Sequence, residues 1–334
     1  MFYLLITLIL FIALLLYFKV ADRYNIIDKP NERSSHQQVT IRGGGIVFPI
    51  AFLVFGLERI VASNSILEPE NYMVFGIGLL AICTISFIDD IIDLSSKIRL
   101  VFHFIAVTLL LYFVDAFQTI PLWVIPVLYV LVIGILNAYN FMDGINGMTG
   151  LYSLVVLGSL FYVNHYVISF TEENFIIFPM LSCIVFLFFN FRKKAKCFMG
   201  DIGSIGIGFW ILALIGLLIV KTQELKYIFF LTVYGTEVIL TILERIGLKE
   251  NIFEAHRRHL YQLLVNEKGL SHLLVSFCYA AIQLCINIIL LYSNLTFISN
   301  IFLIVLPSGL LYLFVKHRTK QSAARSLQKT TNNQ

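Results

Sequence analysis

Charge is scarce in this sequence. Of 334 residues, 24 are Lys or Arg and 20 are Asp or Glu, 13% together, about half the share of an ordinary soluble domain. Hydrophobic residues make up 59%, with 30 Phe and 16 Tyr. So much apolar surface excludes a water-soluble globule, and the solvent for most of the chain must be lipid. Cysteine is sparse as well: Cys83, Cys183, Cys197, Cys278 and Cys285 show no paired ligand spacing, and four of them lie inside apolar runs. That excludes a disulfide framework and a zinc site. No basic residue precedes the first apolar run and Lys19 follows it, the reverse of a secretory leader, so the run is expected to stay in the protein. Polar side chains at mid-span are few, chiefly His103 and Glu237, which argues against a transport path near the bilayer midplane.

What is present is a series of eleven apolar stretches of about the length a helix needs to cross a bilayer. They run approximately 2–19, 43–62, 71–88, 100–116, 120–137, 147–165, 174–191, 204–220, 226–243, 271–292 and 296–315. The expected fold is an all-α integral membrane protein of about eleven transmembrane helices over 1–316, followed by a basic, disordered tail over 317–334. If the first span enters from outside, every Lys and Arg except Arg59, Lys221 and Lys226 falls on the inner side. The positive-inside rule then sets the N-terminus outside and the C-terminus in the cytoplasm. The net charge of +4 is thereby explained by orientation, with no nucleic-acid partner. The outer loops are short and bland, whereas the inner segments 20–42, 89–99, 137–147, 191–203 and 244–270 are rich in Gly, Asn, Asp, His and Arg.

Five groups on that inner side carry chemistry. Asp89, Asp90 and Asp93, followed by Lys97 and Arg99, stand where the third span ends. Clustered carboxylates repel one another and resist desolvation, so they persist where a cation or a wet cavity relieves them; a solvated helix end is the plain alternative. Asn137, Asn140, Asp143 and Asn146 recur every third residue beside Gly144 and Gly147, which puts them on one face if the helix continues and otherwise reads as a capped turn. Asp201, between Gly200 and Gly203–Ser204, opens the eighth span after a basic run; one such carboxylate beside a bound diphosphate suffices for Mg²⁺. Gly203, Gly206 and Gly208 fit close helix packing at least as well as a phosphate cradle. His256, Arg257, Arg258 and His259 offer forked cations and imidazoles to diphosphate oxygens, or simply anchor a loop. Lys29, Arg33, His36 and Arg42 lead into Gly43–Gly45, whose N–H groups could approach an anion, although a basic juxtamembrane segment also meets lipid headgroups. Carboxylates, amides, cations and glycines gathered on one face describe phosphoryl transfer better than transport.

These motifs resemble the polyprenyl-phosphate N-acetylhexosamine-1-phosphate transferases, a superfamily that also includes the phospho-N-acetylmuramoyl-pentapeptide transferase of peptidoglycan synthesis. Asp89 and Asp90 match its aspartate pair, Asn137, Asn140, Asp143 and Gly144 its NxxNxxDG motif, and Phe198–Asp201 with Gly203 and Ser204 its FMGD-GS motif. The RSSH…RGGG segment and the HRRHLYQ run are most similar to the branch that starts O-antigen and related surface polysaccharides, with capsule and teichoic-acid-type polymers as neighbours. Two departures stand out: Asn146 where the family often has Asp, and Lys193, Lys194 and Ala195 where related chains often have Pro-Pro-Ala.

The resemblance implies a catalytic set of Asp89, Asp90, Asp143 and Asp201. Asp201 would be the principal ligand of Mg²⁺, with Mn²⁺ as a substitute, and Asp143 would help hold metal or nucleotide. It implies substrate contacts at Lys29, Arg33, His36, Lys97, Asn137, Asn140, Phe198, His256, Arg257, Arg258 and His259, with Phe198 stacked on uracil. The partners implied are a UDP-N-acetylhexosamine, undecaprenyl phosphate, the lipid of a bacterial cytoplasmic membrane and a second copy of the chain. The rival readings are the peptidoglycan enzyme itself, whose longer histidine run is absent here, and a lipid or solute transporter.

Overall fold

A computed structural model describes residues 1–28, 39–63, 72–92, 94–252, 254, 256–293 and 295–331. Apart from a two-stranded antiparallel clip, β1 (Ile27–Asp28) with β2 (Thr40–Ile41), its regular elements are helical. In chain order they are α1 (Phe2–Tyr24), α2 (Val47–Ser63), α3 (Tyr72–Ile91), α4 (Ser96–Phe113), the short α5 (Ala116–Thr119), α6 (Ile125–Met142), α7 (Met148–Tyr162) and α8 (Glu173–Asn190). Then come α9 (Gly200–Thr222), α10 (Thr232–Gly247), the short α11 (Leu260–Asn266), α12 (His272–Tyr292), the one-turn α13 (Phe297–Asn300) and α14 (Leu306–Thr331). Among the described residues eleven stretches are long and apolar enough to cross a membrane, so the chain is a multi-pass membrane protein.

Helix α9 is the axis of the bundle. It is apolar all round, as a helix buried on every side must be, and 83% of its span lies inside the protein. Its small residues let neighbours come close: Gly203 lies against Gly45, Gly206 against Cys83 of α3 and Gly208 against Tyr139 of α6. Toward the opposite end from Asp201, aromatic rings fill the space. Phe52, Phe55, Phe75, Phe175 and Trp210 pack edge-on or tilted, and the Trp210 indole N–H donates to the Phe175 carbonyl at 3.0 Å.

Two boundaries move in ways that matter for chemistry. The fifth span starts later than expected, behind Pro121, with Pro126 in its first turn, and runs on to Met142. Asn137 and Asn140 therefore sit on the last turns of α6 and not in a loop. The eighth starts at Gly200, so Asp201 belongs to the first turn of α9. At the other terminus α14 continues through Thr331, where a disordered tail is expected from 317; Lys, Gln, Ala, Arg and Leu in this segment are good helix formers.

Candidate active site

The C-terminal ends of α3 and α6 and the N-terminal end of α9 meet at one end of the bundle. The contact that fixes them is between backbones. Strand β2 and the glycines after it run beside the segment leading into α9: the Phe198 N–H donates to Ile41 O at 2.8 Å, Gly44 N–H to Phe198 O at 2.8 Å and Gly45 N–H to Met199 O at 2.9 Å. Only glycines permit this approach. A Cβ on Gly45 would fall on the Gly203 backbone, and Gly200, at φ +72°, would drive one into the Asp90 carboxylate. The Gly44 and Gly45 N–H groups thus satisfy carbonyls and are not the ones left to approach an anion.

Arg42 is carried into the centre by this pairing. Its carbonyl accepts the Tyr17 hydroxyl at 2.6 Å. Its guanidinium bridges two carboxylates, Nε to Asp90 Oδ1 at 2.7 Å and Nη2 to Asp201 Oδ1 at 3.2 Å. Burial works against the charge, but Asp90, Asp201 and Asp28 outweigh it and hold the Arg42 pKa above its usual value. Asp90 is fully enclosed, with 0% of its side chain exposed, and its two oxygens also accept the backbone N–H groups of Asp201 at 3.0 Å and Ile202 at 3.2 Å. A carboxylate from α3 therefore caps α9, satisfying donors that every helix start leaves open and favouring its positive end.

Asp89 points elsewhere. Successive helical residues face about 100° apart, and this carboxylate, 7% exposed, accepts Arg99 Nη1 at 2.9 Å and the Leu94 N–H at 2.9 Å. Arg99 is set in turn by α4, where its carbonyl meets His103 Nδ1 at 2.7 Å. Lys97 is exposed on the first turn of α4, and Phe198 is half-buried beside Asp201. Lys29, Arg33, His36 and Asp93 lie outside the described residues.

From α6, Asn140 Nδ2 donates to Ser204 Oγ at 3.3 Å, whose hydroxyl donates to Gly200 O. Asn137 bonds back to its own helix at Ile133 O, 2.8 Å. Asp143 ends the helix, half-buried. Burial first, reinforced by the charges of Asp201 and Asp90, pushes its carboxyl up to about 8. Asn146 has a structural use: buried, it donates Nδ2 to Arg192 O at 2.8 Å, its backbone N–H donates to His272 Nδ1 and its carbonyl accepts the Ser276 hydroxyl. An amide suits this place because it must donate to a carbonyl.

The His-Arg-Arg-His run is anchored beside this loop. Tyr261, whose own hydroxyl burial keeps far from ionising, donates to Phe141 O at 2.8 Å, and Gly144 leaves room for its ring. Arg258 pairs with Glu250 and reaches Glu244 at 3.7 Å. Arg245 gathers the carbonyls of Asn251, Ile252 and Glu254. Burial, with His259 and Arg245 nearby, lowers the His256 pKa to about 4. Arg257 is exposed, while His259 is buried against Glu237. Two arginines of the expected substrate face, Arg257 and Arg258, thus differ in kind, since Arg258 holds the loop together.

Arg42, grouped with the basic residues before the Gly triplet but not assigned a site role, and Glu237, noted only as a polar residue within a span, are the residues whose placement sequence reasoning missed. A basic residue directly before a Gly triplet was the available signal for the first, and a carboxylate in an apolar span for the second.

Among the described residues no three His, Cys, Asp or Glu side chains form a metal cage. The donor set nevertheless fits Mg²⁺, which commonly takes one or two carboxylates and completes its shell with phosphates and water. Asp201 has one oxygen on Arg42 and keeps 20% of its side chain exposed, and the mutual repulsion felt by Asp143 is what a dication relieves.

Residues 72–220, from the start of α3 to near the end of α9, contain Asp89, Asp90, Asp143 and Asp201 and match the profile of Glycosyl transferase family 4. The "Probable undecaprenyl-phosphate N-acetylglucosaminyl 1-phosphate transferase" of Bacillus subtilis (strain 168) is 26% identical over 277 residues, 76% of this chain and 73% of that protein. The undecaprenyl-phosphate alpha-N-acetylglucosaminyl 1-phosphate transferase of Escherichia coli (strain K12) is 27% identical over 293 residues, 78% and 75% of the two chains. The phospho-N-acetylmuramoyl-pentapeptide-transferase of Thermotoga neapolitana is 29% identical over 241 residues, 66% and 75%. With its aspartates, asparagines and glycines brought to one end of the bundle, the chain belongs to the superfamily of polyprenyl-phosphate N-acetylhexosamine-1-phosphate and phospho-N-acetylmuramoyl-pentapeptide transferases, membrane enzymes that move a sugar-1-phosphate from a nucleotide sugar to undecaprenyl phosphate.

Proposed function

We propose that this chain transfers an N-acetylhexosamine-1-phosphate from a UDP-sugar to undecaprenyl phosphate, releasing UMP and starting a lipid-linked surface polysaccharide. The observation that carries the reading is the convergence of Asp201, Asp90 and Arg42 from three distant parts of the chain, with Asp143 within their electrostatic reach. The histidine run favours this branch over the pentapeptide transferase, whose longer run is missing.

An oxygen of the lipid phosphate attacks the β-phosphorus of the UDP-sugar. The bond from that phosphorus to the bridging oxygen breaks, and UMP leaves with the electron pair. A phosphate monoester with a second pKa of about 6 is already largely dianionic at neutral pH, so no strong base is required. Bringing anions together is the obstacle, and alignment with charge neutralisation removes it. Asp201 and Asp143 would hold Mg²⁺, which when bound supplies that neutralisation. By the resemblance Phe198 would stack on the uracil, Lys29 and Lys97 would neutralise phosphate charge, and Arg33, His36, Asn137, Asn140, His256, Arg257 and His259 would contact the substrates. Asp89 and Asp90 are engaged by Arg99, Arg42 and backbone donors, which favours one-step displacement over an aspartyl-phosphate intermediate.

The site end is where odd-numbered spans finish, so eleven spans put the C-terminus on the site side. The excess of Lys and Arg on that side supports a cytoplasmic site. Purified chain in detergent, given a panel of UDP-sugars, should release UMP only with undecaprenyl phosphate and Mg²⁺ present. Release without the lipid, or none with any sugar, overturns the reading. Inversion at phosphorus is expected, and retention would refute the single step.

A further inference from the structure

Glu237 is a carboxylate in the middle of α10 and 1% exposed. An ionisable group inside a span is costly and persists where a specific partner or a function retains it. The nearest lysine within electrostatic reach, Lys316, pairs with Glu244 at 2.6 Å. What Glu237 faces instead is the start of α11. Its Oε1 accepts the Leu260 N–H and lies 3.5 Å from His259 Nδ1, and its Oε2 accepts the Tyr279 hydroxyl at 2.6 Å.

His259 is equally enclosed, its side chain 4% exposed, yet neither ring nitrogen has a partner of hydrogen-bonding geometry. Buried polar atoms are nearly always paired, so an imidazole left open beside a carboxylate calls for a reason. A carboxylate only accepts, so the tautomer that pairs with Glu237 carries its hydrogen on Nδ1 and leaves Nε2 over. The ring lies nearly parallel to Tyr261, at 5.7 Å and 19°, and Tyr261 is bonded to the backbone that leads into Asp143. Thus Nε2 belongs to a ring one neighbour away from the aspartate loop.

We propose that Glu237 is a positioning residue for the transfer: it fixes the orientation and tautomer of His259, so that Nε2 is presented to an oxygen-bearing group of the sugar nucleotide. The proposal rests on the transferase reading above. A merely structural Glu237 would hold Leu260 and Tyr279 whatever occupied position 259. A positioning Glu237 acts through the imidazole, and its effect disappears with it.

A double-mutant cycle separates the two. UMP release by the full chain in detergent is measured for Glu237→Gln, His259→Ala and the double variant, alongside melting temperature. Glu237→Gln keeps the size of the side chain; it should lower kcat about tenfold and leave KM for the UDP-sugar within about twofold. The double variant should be no slower than His259→Ala alone, and Tyr279→Phe should stay within about threefold of the unaltered chain. Should Glu237→Gln not fold, the same cycle is run with Glu237→Asp, again expecting no further loss on top of His259→Ala. Multiplying losses, or losses that follow melting temperature only, overturn the proposal while the transferase reading stands. No turnover by the unaltered chain overturns both.

Discussion

Asp90→Asn removes one charge and almost no volume, so its effect isolates what the carboxylate does. The native side chain is fully enclosed and makes three contacts, with Arg42 at 2.7 Å and with the Asp201 and Ile202 N–H groups at 3.0 and 3.2 Å. An amide keeps one accepting oxygen and turns an NH₂ toward a donor. Hydrogen bonds to a charged group contribute roughly 1.5–3 kcal/mol each, and an orphaned buried donor costs about 1–3 kcal/mol. The expected loss is ~3–5 kcal/mol, the size seen when one partner of a buried ion pair is removed. Asp201→Asn gives the contrast: its side chain is partly exposed and loses one 3.2 Å contact, about 1 kcal/mol or less, while Arg42 keeps Asp90. Both variants should lose turnover, but unfolding in detergent should show a large drop in stability for Asp90→Asn alone. Equal stabilities would refute the idea that Asp90 holds the start of α9 in place. Near-normal UMP release by Asp201→Asn would refute its metal role.

Asn146→Asp, which places there the residue common in the family, should destabilise by at least ~2 kcal/mol because a carboxylate cannot donate to Arg192 O and is buried there; unchanged melting would count against that hydrogen bond. Gly45→Ala puts a methyl onto the Gly203 backbone and should cost ~1–3 kcal/mol or more by overpacking, read as a lower melting temperature and lower UMP release. His256 has a folded pKa of about 4, below its ordinary 6.5, so between those values the unfolded chain binds more protons. Relative to His256→Gln, the native chain should therefore lose stability as pH falls from 6.5 toward 4 and level off below; a parallel pair of melting curves over that range would contradict it.

Much of this architecture was legible because lipid imposes it. Eleven runs of apolar residues gave eleven helices, and the order of the Asp, Asn and Gly motifs placed them at one end. Boundaries shifted where a motif was polar yet helical: Asn137 and Asn140 look like loop residues, but they close the last turns of α6 by bonding to Ile133 and Ser204. The part played by Arg42 could not be read, since its partner Asp201 is 159 residues away and a lone basic residue near a span looks like a headgroup anchor. The Gly43–Gly45 triplet left open an approach to an anion, whereas its use is to let β2 approach α9. The role of Asn146 is hidden for a similar reason, because the carbonyl it serves lies in another loop.

The cap on α9 also sets an order of assembly. Asp90 is made 111 residues before the N–H group it receives, and Arg42 is made earlier still. During synthesis both are complete while the ribosome has yet to deliver the Phe198–Met199 segment that carries Arg42 inward and the N–H groups of α9 that Asp90 receives. A half-inserted chain therefore has the lock without the bolt: until the eighth span slides in, Asp201 is absent and the cluster of charges is incomplete.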